Sequence, residues 1–363
     1  MSELRYLTAG ESHGSMLTAI IDGFPAGLRV DIPAINAELK RRQQGAGRGG
    51  RMSIESDAVR FTAGVRNSVT TGNPISFYIE NKDYGVWRGC MDCEACDTDL
   101  KKLTKVRPGH ADLAGCMKYN HEDARNVLER ASARETAART AAGAICKQLL
   151  QALGVEIKSV VDTLGGVKFT GADGGKDALA AVERARAAGD TLGGRISVFA
   201  DGVKAGFGSY TQYDKKAEYL LAACLMSIQG VKSVSVGLGE GYADIAGSAA
   251  HDKIFVRKDK KGANYYRETN NAGGIEGGIT NGEQLVFHLT MKPIPTLAKG
   301  LRTVDIATGE PAAAAAERSD ACAVEACAVV AENALAFALL KLILDRTGGD
   351  YVGEIVERYK RYI

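Results

Sequence analysis

Residues 107–154 read RPGHADLAGCMKYNHEDARNVLERASARETAARTAAGAICKQLLQALG. In the second half Ala138, Ala142, Ile145, Leu149 and Leu153 recur at helical spacing, and Gly154 offers a stop. The spacing predicts an amphipathic helix that carries arginines and small polar residues into its N-terminal half. Arg107, Arg125, Arg130, Arg134 and Arg139 all fall in the stretch, with His110 and His121 among them. Helix N-termini and guanidinium groups both favour anions. A solvated basic helix face would carry the same pattern, so the decision rests on whether the rest of the chain repeats the theme.

It does. Asp31 is placed to cap a short helix, IPAINAELKRRQ, which has Ile35 and Leu39 on one face and delivers Arg41 and Arg42 to the loop QQGAGRGGRMSIESD. Glycines at 45, 47, 49 and 50 there separate Arg48 from Arg51. Arginines on such a loop can clamp phosphate or carboxylate bidentately, although a flexible surface loop is the alternative. The loop lacks the G-K-[ST] ending of a Walker motif. With 46 basic and 44 acidic residues the net charge is only +2, which argues against a general nucleic-acid or membrane-surface binder. Local arginine clusters in a neutral protein point instead to a small polyanion.

A hydrophobic fraction of 45% and a charged fraction of 25% are those of a soluble globular protein. No run is read as long enough to span a bilayer, and MSELRYLTAGESHG has no apolar core of the signal-peptide kind. With eight cysteines this predicts reduced thiols and a cytoplasmic protein. Cys90, Cys93 and Cys96 form overlapping C-x-x-C pairs, but no second pair completes a zinc or iron–sulfur set, so free thiols on an inserted loop are expected and no metal.

Strands are expected at 4–8 and 17–21 around the loop Ala9–Ser15, two more within 59–80, and others at 155–162, 194–202, 231–239 and 284–293. Helices are expected from Asp177 to Ala188, from Asp214 onward, and over ACAVEACAVVAENALAFALLKLIL, which Ser319 or Asp320 is placed to cap. Strand–helix units without regular βαβ alternation favour an α+β layered body, and no G-x-G-x-x-G follows a strand as a Rossmann domain requires. Gly10–Gly14 formally fits G-x-S-x-G, but a nucleophile elbow needs a helix after it, and MLTAIIDGFPAG reads as a strand. Ser12 is therefore a poor candidate nucleophile.

The segments Gly10–Gly14 (GESHG), Arg107–Asp112 (RPGHAD), Ser132–Thr136 (SARET), Asn271–Gly278 (NAGGIEGG), Lys292-Pro293 and Arg318–Val324 (RSDACAV) together resemble the chorismate synthase family, in its order and across almost the whole chain. The resemblance implies one α+β domain over 1–363, a β-α-β sandwich with long helices between antiparallel sheets, assembled as a cytoplasmic homotetramer. It implies elimination of phosphate from C3 and a proton from C6 of 5-enolpyruvylshikimate 3-phosphate, giving chorismate, with reduced FMN that is not consumed and NADPH as an optional reductant. It assigns protonation of the departing phosphate to His13, a role beside the flavin to His110, and assistance in proton removal to Asp320. It puts substrate contacts on Arg42, Arg48, Arg51 and Arg134, the first two also serving NADPH. Flavin contacts fall on Arg130, Ala131, Ser132, Gln229, Gly230, Gly277, Lys292, Pro293, Ile294, Pro295, Thr296 and Arg318. The chain departs from the family pattern at Leu128-Glu129, where glycines are common, and at Ala131, which lacks a hydroxyl.

Overall fold

The structure, a computed structural model, describes residues 3–49, 55–169, 175–259, 262–315 and 319–362. Apolar residues alternate on either side of the glycine-bearing loop near the N-terminus, so two strands form there. These are β1 (Arg5–Ala9) and β2 (Met16–Asp22), paired antiparallel with Leu7 opposite Ile20. Leu17, Ala19 and Ile21 of β2 point into the core. Helix α1 (Ile32–Gln43) starts as its sequence predicts: Asp31 accepts the Ala34 N–H at 3.0 Å, Pro33 lies in the first turn, and Ile35 and Leu39 are buried. With β3 (Arg60–Ala63) and β4 (Ile75–Glu80) the first sheet is complete, in the order β1-β2-β4-β3 and antiparallel throughout.

Three short helices follow, α2 (Tyr84–Met91), α3 (Asp112–Tyr119) and α4 (Arg125–Ala131), then the longer α5 (Thr136–Ala152). The single amphipathic helix expected to carry the arginines is thus divided. Ser132, at φ −59° and ψ 142°, leaves the helical region and ends α4, so only Arg139 lies on α5 itself. Besides short hairpins and turns, the chain continues with β5 (Glu156–Leu164), β6 (Val167–Lys168), α6 (Lys176–Ala187), β7 (Gly194–Asp201), α7 (Ala217–Met226), β8 (Val231–Val236), β9 (Leu285–Met291), α8 (Val324–Thr347) and α9 (Val352–Lys360). The second sheet runs β8-β9-β7-β5-β6, also antiparallel.

Between the sheets lies a helical layer. Helix α5 packs against β1, β2 and β4 on one side and α8 on the other, while α8 lies on β5 and β7 with α1 and α7 beside it. This is the expected β-α-β sandwich, and one apolar cluster runs through both sheets and the helices between them. The α5–α8 crossing is close because α5 offers mostly small residues: a Cβ on Gly143 would lie 2.1 Å from the Asn333 carbonyl oxygen. In mid-α8, Glu332 accepts from Arg41 at 2.9 Å, Lys147 at 2.8 Å and Ser159 at 2.6 Å, tying α8 to α1, α5 and β5. Burial raises its pKa, but the two cations and the hydroxyl more than offset this and hold it below the ordinary carboxylate value.

Three expectations are corrected. Helix α8, with 24 residues and a mean hydropathy of 2.0 over its most apolar window, is long and apolar enough to cross a bilayer; 89% of that window is buried within the protein, as in a core helix. Neither Ser319 nor Asp320 caps α8, because the helix begins at Val324 and its N-cap Ala323 makes no side-chain cap bond. Helix α7 begins at Ala217 rather than Asp214, which lies in a separate 3-10 turn.

Candidate active site

One cavity of about 400 Å³ opens where the β1–β2 loop, the end of α4, the loop before α3, the segment after β9 and the first turns of α8 meet. Its floor is apolar, with Ile228, Met291, Ala326 and Val330 among the lining residues, and its polar groups converge from distant parts of the chain.

His13 reaches it from the β1–β2 loop. That loop turns on Gly10, whose φ of +103° favours glycine and where a Cβ would lie 2.3 Å from the Met16 carbonyl oxygen. The loop is anchored to α4: Ser12 N–H donates to the Glu129 carbonyl at 3.0 Å, and His13 N–H donates to Glu129 Oε2 at 2.7 Å. The imidazole Nδ1 lies 2.8 Å from Glu129 Oε1, and the ring stacks on Trp87 at 3.9 Å between centroids. Ser12 is buried, accepts a hydrogen bond from the Ser132 hydroxyl at 3.2 Å, and belongs to a hairpin rather than a strand–helix elbow. The hydrolase reading therefore has no structural support.

His110 is held in a parallel way. Its Nδ1 lies 2.5 Å from Asp112 Oδ1. Asp112 also accepts from Arg107 Nε at 2.8 Å and Nη2 at 2.9 Å, and Arg107 Nη1 donates to Thr296 Oγ1 at 2.9 Å. Burial pushes the Asp112 carboxyl up, but the bonds and charges of His110 and Arg107 outweigh it and hold the group well below the usual range. A carboxylate only accepts, so each histidine presents Nδ1–H to its carboxylate, and Nε2 is the ring nitrogen that can serve a ligand.

Asp320 and Arg48 form an ion pair at 2.6 Å, with Gly49 N–H donating to the other Asp320 oxygen at 2.5 Å. Lys292 donates to the Gly109 carbonyl, and burial followed by the charge of Lys232 draws its pKa down.

The cavity lining brings together His13, His110, Asp320, Arg42, Arg48 and Arg134. It also contains Ala131, Ser132, Gln229, Gly230 and the segment Lys292 to Thr296. Two of the arginines turn their charge inward. Arg134 binds both Asp57 oxygens, at 2.7 and 2.8 Å, and Asn81 Oδ1 at 2.9 Å. Arg42 donates to Thr136 Oγ1 at 2.9 Å and the Ala133 carbonyl at 3.0 Å, and burial draws its pKa down to about 10 despite Asp57 nearby. These two shape the wall more than they offer a free guanidinium. Arg130 and Gly277, expected at the flavin, do not line the cavity: Arg130 donates to the Thr8 carbonyl and hydroxyl at 2.8 and 2.6 Å, and Gly277 sits in the turn of a hairpin pairing Ile275 with Thr280. Arg51 and Arg318 lie outside the described residues.

Sequence reasoning did not single out Arg107 and Asp112 as site residues, nor Glu129, Trp87 and Asp83. Asp112 had a local signal, two positions after His110; Glu129 had none, being 116 residues from His13. Trp87 reaches the site from α2, just ahead of the cysteine-bearing insertion, and Cys90, Cys93 and Cys96 are free thiols. Among the described residues no cluster of three or more His, Cys, Asp or Glu side chains is arranged to hold a metal ion.

A family model of chorismate synthase matches residues 4–344. The chain belongs to the chorismate synthase family. It is 48% identical to the chorismate synthase of Caldicellulosiruptor bescii over 99% of both chains. It is 47% identical to that of Geobacter sulfurreducens, over 99% of this chain and 98% of the relative. A crystal structure of a chorismate synthase superposes with a TM-score of 0.78 at 35% identity, covering 99% of this chain and 97% of the other. The family's sandwich and the cavity between its layers are thus the frame in which the two histidines belong.

Proposed function

We infer that the chain catalyses the 1,4-anti elimination of phosphate from 5-enolpyruvylshikimate 3-phosphate to give chorismate, and so is a carbon–oxygen lyase. The observation that carries this reading is the pair of histidines, each tied through Nδ1 to a buried carboxylate, facing one cavity that also holds Arg48, Arg107 and Lys292. A substrate with two carboxylates and a phosphate needs such cations, and a leaving phosphate needs a proton donor. The imidazolium form of His13 supplies that proton from Nε2 and is left as the Nδ1–H imidazole that Glu129 holds. His110 is held at Nδ1 by Asp112, with Arg107 beside the same nitrogen, which leaves Nε2 as the position that exchanges a proton in the cavity. Asp320 takes part in removing the C6 proton; both its oxygens are engaged, so substrate binding must draw Arg48 partly away from it. The apolar floor excludes water around these groups, which strengthens every charged contact.

FMN fits the same cavity. Among the described residues Gln229 Oε1, buried on the wall, has no hydrogen-bond partner, and it is an acceptor suited to a ring N–H. A Cβ on Gly109 would come within 3.5 Å of Pro295 and 3.8 Å of Lys292 Nζ, so the bare glycine keeps this side of the cavity open. Ala131, Ser132, Gln229, Gly230 and Lys292 to Thr296 would hold the cofactor. When bound and reduced, FMN supplies an electron to the substrate that is afterwards returned. A homotetramer working in the cytoplasm completes the proposal. Leu7 and Ile20, paired on the outer face of the first sheet and 75% and 49% exposed, form an apolar surface suited to burial between subunits.

The test is anaerobic turnover with chemically reduced FMN. Equal amounts of chorismate and phosphate, and neither with oxidised FMN alone, are expected; a folded protein yielding neither product would overturn the reading. Repeating the assay with NADPH and oxidised FMN reads whether the chain reduces its own flavin.

A further inference from the structure

We propose that Glu129 and Trp87 are positioning residues for His13: the carboxylate keeps a proton on Nδ1 and the indole sets the ring plane, so that the proton the imidazolium gives up is the one on Nε2, leaving the Nδ1–H imidazole. The proposal rests on the role given to His13 above and assigns the control of that role to two side chains outside the expected site.

Glu129 is buried, with its side chain 1% exposed, and both its oxygens meet His13. Oε2 accepts the His13 backbone N–H at 2.7 Å, and Nδ1 lies 2.8 Å from Oε1 and 3.1 Å from Oε2. Arg125, one turn earlier on α4, stands 3.5 Å from Oε1 and adds a further N–H donor facing it. A carboxylate surrounded by N–H donors has nothing to give to Nδ1, so an Nε2–H imidazole would set a lone pair against an anion in a buried site. That form is excluded on electrostatic grounds.

Trp87 completes the constraint. Its ring lies 26° from the plane of His13, and its Nε1 donates to Asp83 Oδ2 at 3.2 Å. Arg125 and Lys101 each stand 5.2 Å from the indole centroid. Among the described residues the charged groups around His13 include Glu129 and Arg125 from α4, with Asp83 and Lys101 acting through the indole. The ring is gripped at one nitrogen and one face, which leaves its orientation little freedom.

The test uses protein labelled with 15N-histidine, without substrate or flavin. The nitrogen shifts of His13, assigned by their loss in His13→Gln and read at alkaline pH where the ring is neutral, should report the Nδ1–H tautomer in the unmodified chain. Glu129→Gln keeps the shape but can donate as well as accept, so it should give a mixed tautomer population. Its kcat should fall roughly a hundredfold with KM changed far less, as when the partner that orients a catalytic histidine loses its charge. Trp87→Phe, which keeps a stacking face, should retain most of the activity that Trp87→Ala loses. An Nε2–H tautomer in the unmodified protein overturns the proposal whether or not any variant folds. So does a Glu129→Gln enzyme with unchanged tautomer and kcat. Full turnover by His13→Gln would instead overturn the role of His13, an outcome distinguishable because the tautomer is read without catalysis.

Discussion

Arg107, His110 and Asp112 fall within six consecutive positions, and the chemistry of one half of the site is written in that short run. Replacing His110 or His13 by alanine should lower kcat by one to two orders of magnitude or more, as loss of general acid–base groups does, with an unchanged circular dichroism spectrum. Normal turnover in both variants would remove them from the mechanism. Asp112 links the site to stability. Its folded-state pKa lies below the unfolded value, so its contribution is complete above about pH 4 and is lost as pH falls toward the folded value. Asp112→Asn should therefore destabilise the protein at neutral pH by about 3 kcal/mol, since it leaves Arg107 buried beside a neutral partner. In urea melts that difference should shrink below pH 4; a gap that persisted unchanged at pH 2 would contradict the assignment. Arg48→Ala should weaken substrate binding more than FMN binding, read by flavin fluorescence and by KM.

The elements show which parts of this arrangement were legible in advance. Asp31, Ile35 and Leu39 marked α1 because a cap and an apolar face are local signals, and the apolar periodicity of α5 and alternation in β2 were equally readable. The division between α4 and α5 was not, since it depends on the extended conformation of Ser132, whose hydroxyl meets Ser12 from the far N-terminal hairpin. Arg134 was placed at the substrate by the resemblance alone; its ion pair with Asp57, 77 residues away, left no trace in the sequence. Periodicity reveals elements, whereas ion pairs between distant loops leave no periodic trace. The α5–α8 crossing offers a test at this scale. Gly143→Ala would drive a methyl group into the Asn333 carbonyl and should cost about 3 kcal/mol or more in a denaturant melt, toward the upper end for overpacking. A loss under about 0.5 kcal/mol would mean the helices are not so closely apposed.

At the scale of the whole molecule, two antiparallel sheets hold a helical layer whose central member, α8, would pass for a membrane span by composition alone. Its burial follows from having a sheet and α5 to cover it, a fact that resides in the other elements rather than in the helix. The order of motifs identified this architecture; the fate of Arg130 and Gly277 did not follow from it, because a motif fixes a residue's place in the chain and not the direction in which it faces. If the outer face of the first sheet lies between subunits, Leu7→Lys combined with Ile20→Lys should lower the solution mass from four chains toward two or one by light scattering, with the secondary structure intact. An unchanged mass would put the contact elsewhere. The central claim, that one cavity between the layers holds both ligands, is tested most directly by a crystal structure with oxidised FMN and 5-enolpyruvylshikimate 3-phosphate. The substrate phosphate should lie within hydrogen-bond distance of His13 Nε2, with the flavin against Gln229 and Lys292 to Thr296. Density for either ligand outside that cavity, on the face carrying Arg130 or Gly277, would contradict the account.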